Sequence, residues 1–227
     1  MKLLTSLLAA SILATPLAAQ TASPLPSGAP AEPVTVSTPP PAYPAARPKL
    51  IVAISVDQFS ADLFSQYRNH FTGGFRRLLS GVVFPSGYQS HAATETCPGH
   101  STILTGMRPA HTGIVANNWV DQSVKLDDKI IYCAEDETVP GSTHTDYTVT
   151  DKHLKVPTLG EMMKMADPRT RVVSVAGKDR AAVMMGGHKV DELWWWDGKK
   201  YTSYAGRAEP ATITRANAAI NAMIAKP

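Results

Sequence analysis

Hydrophobic and polar positions separate into runs with different periods. Residues 49–56, Lys49-Leu50-Ile51-Val52-Ala53-Ile54-Ser55-Val56, form a nearly unbroken β-prone stretch, the pattern of a strand buried on both faces of a parallel sheet. Asp57 ends it. Leu63, Phe64, Tyr67 and Phe71 then recur at helical spacing, and after Thr72-Gly73-Gly74 a second short helical piece carries Phe75, Leu78 and Leu79 as far as Gly81. Val82-Val83-Phe84 predicts a short strand. Further on, residues 157–165 predict a helix with Pro157 near its start and Asp167-Pro168 at its end, and residues 171–176 a second buried-type strand that runs into Gly177. Ile213, Ile220, Met223 and Ile224 mark a last helical pattern. Strand and helix alternate, so the predicted class is α/β. Ligands of open α/β sheets gather at the carboxyl ends of strands, where Asp57 and the cluster Gly177-Lys178-Asp179-Arg180 both fall.

The amino-terminal fifty residues follow other rules. Lys2 precedes an apolar run from Leu3 to Leu17 that ends in the small residues Ala18 and Ala19, so residues 1–20 read as an export signal. The run is broken by Thr5, Ser6, Ser11 and Pro16 and is short for a bilayer span, so no stable membrane span is expected. Nine of the 18 prolines fall in residues 21–48, among Ala, Ser and Thr, which predicts an extended, semi-rigid linker. Residues 49–227 are long enough for one domain with a real core. The formal net charge of +3 comes without a clustered basic stripe, so nucleic acid is not an expected partner. Export to the periplasm or the medium raises the prospect that Cys97 and Cys133 form a disulfide. Sequence alone leaves two separate thiols or a metal-binding pair open.

Chemistry concentrates in residues 90–106, Ser90-His91-Ala92-Ala93-Thr94-Glu95-Thr96-Cys97-Pro98-Gly99-His100-Ser101-Thr102-Ile103-Leu104-Thr105-Gly106. Pro98 suits the first turn of a helix and Gly106 its exit, which puts Thr96 at or just before the helix start. There the unpaired amide groups and the helix dipole attract an anion such as phosphate. A threonine hydroxyl is too weak an acid to attack unaided and needs a base or a metal beside it. Asp57 is a suitable hard oxygen donor. Taken singly, Thr96 reads as a helix cap and Asp57 as a turn residue. His100 falls inside the predicted helix, where packing or a local hydrogen bond accounts for it, and His70, His111, His144, His153 and His188 show no metal-ligand spacing. Trp194-Trp195-Trp196 is expected to divide between core and surface.

Four segments in order change this picture: Ile54-Ser55-Val56-Asp57-Gln58, Thr96-Cys97-Pro98-Gly99-His100-Ser101-Thr102, Gly113-Ile114-Val115-Ala116-Asn117-Asn118-Trp119 and Ala176-Gly177-Lys178-Asp179-Arg180-Ala181. They resemble successive motifs of the alkaline phosphatase superfamily, and more closely its threonine-nucleophile, PhoK-type branch, related to the nucleotide pyrophosphatases and phosphodiesterases. The resemblance covers nearly all of residues 49–227. It implies a three-layer sandwich around a mostly parallel sheet, incomplete in this chain, and hydrolysis of phosphate monoesters through a phosphothreonine intermediate. It makes Asp57 a zinc ligand, and Thr96 both the nucleophile and a ligand of the same zinc. Asn117 would donate its side-chain amide to a phosphoryl oxygen, and Lys178 and Arg180 would clamp the remaining oxygens. Those roles suit phosphoryl transfer, which asks for positive charge and donors around three equatorial oxygens.

A monoester exposes one more charged oxygen than a diester and gains more from two extra cations, so the Lys178 and Arg180 pair favours small-molecule monoesters as substrates. Two zinc ions are expected in the full-length enzyme, with further Asp and His ligands from a later part of the chain, because catalytic zinc normally takes three protein ligands. The chain is accordingly expected to be an inactive amino-terminal portion. Two other readings stand beside this one: a phosphodiesterase or nucleotide pyrophosphatase, and a non-catalytic module that binds phosphate through Asn117, Lys178 and Arg180. Oligomeric state is not legible.

Overall fold

The computed structural model describes residues 48–84 and 87–226. The chain divides into two units, Met1–Val52 and Ala53–Pro227. Of the first, only residues 48–52 are described, so the export signal at 1–20 and nearly all of the linker at 21–48 lie outside the described residues.

In the second unit, helix α1, Ala61–Tyr67, starts where the Ser60 side chain accepts the Leu63 amide at 3.2 Å, and a 3₁₀ turn, Arg68–His70, follows it. Helix α2 spans Gly73–Leu78. The rings of Phe59, Phe64, Phe71 and Phe75 gather with centroids 5.0 to 6.2 Å apart. Together with Ile54, Val56 and Leu78 the rings of Phe59, Phe64 and Phe75 line an open apolar groove.

The strands expected at residues 49–56 and 82–84 do not form. Val52, Ile54, Val82 and Phe84 stay exposed instead. β-Propensity describes fitness for a pleated, half-buried surface, and without ladder partners among the described residues these runs have no such surface to join.

The main core lies further along. Helix α3, Thr96–Thr105, closes on Gly106 at φ 68°, and the short helix α4, Pro109–Thr112, closes on Gly113 at φ 80°. Strands β1, Asn118–Val120, and β2, Ile130–Tyr132, pair antiparallel with Trp119 opposite Ile131. Helix α5, Leu159–Ala166, begins with a capping box between Thr158 and Glu161, so Pro157 precedes the cap instead of opening the helix.

Strand β3, Val173–Ala176, helix α6, Asp179–Gly186, and strand β4, Glu192–Trp196, form a β-α-β unit in which β3 and β4 pair in parallel. Strand β5, Tyr201–Thr202, adds antiparallel to β4, and helix α7, Ala211–Ile224, follows. The architecture is mixed α/β with partial sheets. β3 is buried on one face alone: Ser174 packs inward and bonds the Ala182 carbonyl at 2.7 Å, whereas Val173 and Val175 are exposed. Trp194 and Trp195 are both buried, because β4 is the central strand of its sheet.

Helix α3 packs on α6, and the core between them contains Cys97, Ile114, Cys133, Val183, Met184 and Leu193. Cys97 and Cys133 are disulfide-bonded with Cα atoms 6.5 Å apart. This bond joins the first turn of α3 to the residue after β2, and so ties the two chemically interesting parts of the molecule to one core.

Candidate active site

Thr96 is the first residue of α3, and Glu95 stands at the cap position without capping the helix through its side chain. The Thr96 hydroxyl donates to Asp57 Oδ2 at 3.1 Å. Asp57 does not close a strand. It lies in a turn whose next residue, Gln58, has φ 61°, and its carboxylate is 55% exposed. Its other oxygen, Oδ1, lies 3.6 Å from Nε2 of His100, one helical turn after Thr96 and nearly buried. The carboxylate thus faces the threonine hydroxyl with one oxygen and an imidazole with the other.

Asn117 is held on both sides of Thr96. Its backbone N–H donates to Glu95 Oε2 at 2.6 Å, and its side-chain Oδ1 accepts the Cys97 amide at 2.9 Å. The second bond decides which end of the amide is free. An N–H donor requires the carbonyl oxygen, so the Asn117 NH₂ group points away from Cys97 and has no hydrogen-bond acceptor among the described residues. Pro98 contributes no N–H and the Cys97 amide is taken by Asn117, which leaves the Thr96 amide as the unengaged donor of the first turn among the described residues.

Lys178 and Arg180 flank the start of α6, immediately after β3. Arg180 Nη1 donates to the Tyr132 hydroxyl at 3.4 Å, its guanidinium carbon lies 5.9 Å from the Tyr132 ring centroid, and its Nε is buried with no hydrogen-bond partner among the described residues. Asp179 turns toward tyrosines: Tyr132 donates to Oδ1 at 2.9 Å and Tyr147 to Oδ2 at 2.8 Å. Burial above all, and then the Asp179 charge, push the Tyr132 phenol up to about 12 and raise Tyr147 as well.

Two oxygen donors 3.1 Å apart, Asp57 Oδ2 and Thr96 Oγ1, suit a shared divalent cation. They make a partial fit. No group of three or more His, Cys, Asp or Glu able to hold a metal occurs among the described residues. His144, His153 and His188 each meet one carboxylate, on Asp128, Glu137 and Asp151.

Glu95, Tyr132 and Tyr147 carry no sequence signal for these contacts. Glu95 merely precedes Thr96, and the tyrosines lie 47 and 32 residues from Asp179.

The profile of the type I phosphodiesterase / nucleotide pyrophosphatase family matches residues 51–220. This chain belongs to that family. It is 64% identical over 182 residues to the alkaline phosphatase PhoK of a Sphingomonas species, covering 79% of this chain and 33% of that protein. It is 56% identical over 166 residues to the alkaline phosphatase PhoD of Zymomonas mobilis, covering 73% and 29%. The crystal structure of wild-type alkaline phosphatase PafA superposes with a TM-score of 0.65 at 30% identity, over 78% of this chain and 35% of that one. A PafA variant changed at a threonine, an asparagine, a lysine and an arginine superposes with a TM-score of 0.62 at 26% identity, over 72% and 33%. The fold is alkaline-phosphatase-like, and the chain spans about a third of the length of these relatives.

Proposed function

We propose that the protein carrying this chain hydrolyses phosphate monoesters with Thr96 as nucleophile. The observation that carries the reading is the Thr96 hydroxyl at the start of α3, bonded to Asp57 and bracketed by Asn117 through Glu95 and Cys97. Further support comes from the changed residues of the PafA variant. There threonine and asparagine stand 21 positions apart and lysine and arginine two apart, the separations of Thr96 from Asn117 and of Lys178 from Arg180.

In the proposed reaction Thr96 Oγ loses its proton to solvent and bonds to phosphorus as the bond to the ester oxygen breaks, and that oxygen leaves with the bonding pair and takes a proton from water. A second water then bonds to phosphorus as the bond to Thr96 Oγ breaks, which releases phosphate and returns the proton to Thr96. The Asn117 amide, Lys178 and Arg180 hold the three non-bridging oxygens, where their charge and donors matter most as negative charge builds up. Asp57 and Thr96 would supply this chain's share of a zinc site. Zinc held there would lower the pKa of the Thr96 hydroxyl. The two-zinc content, export to the periplasm or medium, and the linker role of residues 21–48 belong to the same proposal. Among the described residues no helix is long and apolar enough to cross a membrane.

Lys178→Ala and Arg180→Ala in the full natural gene product decide between the monoester reading and the diesterase reading that the family name keeps in view. Each change should cost about 2–4 kcal/mol of transition-state binding on a monoester and less on a diester. Equal losses on both substrates would refute the monoester assignment, and Thr96→Ala that retains turnover would remove the nucleophile.

A further inference from the structure

Asp179 lies between the two cations assigned to the phosphoryl group, where a free carboxylate would be their nearest partner. Among the described residues neither Lys178 nor Arg180 forms an ion pair. Each Asp179 oxygen instead accepts a tyrosine hydroxyl, Oδ1 that of Tyr132 at 2.9 Å and Oδ2 that of Tyr147 at 2.8 Å, and the two rings pack with centroids 4.6 Å apart.

Tyr132 does a second thing. Its oxygen accepts from Arg180 Nη1 at 3.4 Å while its ring lies near the guanidinium, so one side chain meets both Asp179 and Arg180. The Arg180 Nε remains buried and without a hydrogen-bond partner among the described residues, as a donor awaiting an anionic oxygen would be. Tyr132 is itself well fixed: its amide donates to Oε2 of the fully buried Glu135 at 3.0 Å, and its neighbour Cys133 is crosslinked to Cys97 beside Thr96.

We propose that Tyr132 and Tyr147 are positioning residues that divert Asp179 from Lys178 and Arg180, leaving both cations to the phosphoryl oxygens, and that Tyr132 also orients Arg180. The inference rests on the phosphate-ester reading above. Burial first and then Asp179 favour the protonated Tyr132 phenol, the Arg180 and Tyr147 hydrogen bonds oppose them, and the balance pushes the phenol up to about 12.

The test is a pair of double-mutant cycles in the full natural gene product, read by kcat/KM on p-nitrophenyl phosphate and by inhibition with inorganic phosphate. Tyr132→Phe keeps the ring and removes the hydroxyl. It should lower kcat/KM about tenfold and weaken phosphate inhibition in proportion, and in an Arg180→Ala background, where only its effect through Asp179 on Lys178 is left, it should cost less than about threefold. Tyr147→Phe, which leaves Tyr132 in place, carries the test if Tyr132→Phe does not fold, and its loss should vanish in an Asp179→Asn background. Losses that add fully in both backgrounds, or that leave phosphate inhibition unchanged, overturn the inference. If Arg180→Ala alone leaves monoester turnover intact, the phosphate-ester role of Arg180 fails instead, a result distinct from additivity.

Discussion

At the scale of single residues, neighbours decide what each ionisable group can do. Asp57 offers one oxygen to a hydroxyl and the other to an imidazole, and Asn117 is oriented by the bond its amide donates to Glu95 and the bond its side chain accepts from Cys97, on either side of Thr96. Tyr132 leads to a stability prediction whose sign can be worked out. Its phenol titrates near 12 in the folded protein and about 10 in an unfolded chain, so the folded state retains the proton longer. The resulting stability is fully present below about pH 10 and is lost as pH rises toward about 12, with Tyr147 shifted in the same direction. Urea midpoints measured across this interval should fall with pH, and Tyr132→Phe should flatten the fall. An unchanged slope in the variant would assign the effect to another group.

At the scale of elements, turns and caps deliver the site. Gly113 has φ 80°, and a Cβ there would lie 2.8 Å from the His153 backbone oxygen and 2.9 Å from the Lys155 side chain. Only the lysine can move away. Gly113→Ala should therefore destabilise the fold by more than about 1 kcal/mol, and it should disturb Asn117 four residues later as well. Thr158→Ala makes the contrasting case, because the capping box it removes belongs to α5, which carries none of the residues assigned to the phosphoryl group. A loss of about 1 kcal/mol in denaturant melts with unchanged KM is the expected result. A change in KM for Thr158→Ala, or none in stability for Gly113→Ala, would show that the elements are coupled differently.

At the scale of the whole molecule, the disulfide-centred core contrasts with the surfaces around it. Ile54, Val82, Phe84, Val173, Val175, Met223 and Ile224 are all exposed, and the groove beside the phenylalanine cluster is open. Contiguous exposed apolar surface of this kind favours association. Residues 49–227 expressed alone are expected to bind a hydrophobic dye such as ANS and to self-associate. Because no group of three or more metal-ligating side chains joins Asp57 and Thr96 among the described residues, they should also release no phosphate from p-nitrophenyl phosphate when zinc is added. A monodisperse, dye-free and active preparation would mean that residues not assigned here complete the site.

Local physics is legible in the sequence. The helix over 96–105 with its Gly106 exit, the helices near 61–79 and 159–166, and the strand ending at Ala176 follow from spacing, caps and glycine, which act over a few residues. The strands expected at 49–56 and 82–84 were not determined in this way, since a strand needs a partner and β-prone composition cannot supply one. Four ordered motifs sufficed to pick out Asp57, Thr96, Asn117, Lys178 and Arg180 as candidates. Only the tertiary structure brought Glu95 onto the Asn117 backbone, His100 to Asp57, and Tyr132 and Tyr147 to Asp179. Those contacts join residues up to 47 positions apart, and no short-range pattern encodes which distant side chains a packed core will bring within hydrogen-bond reach.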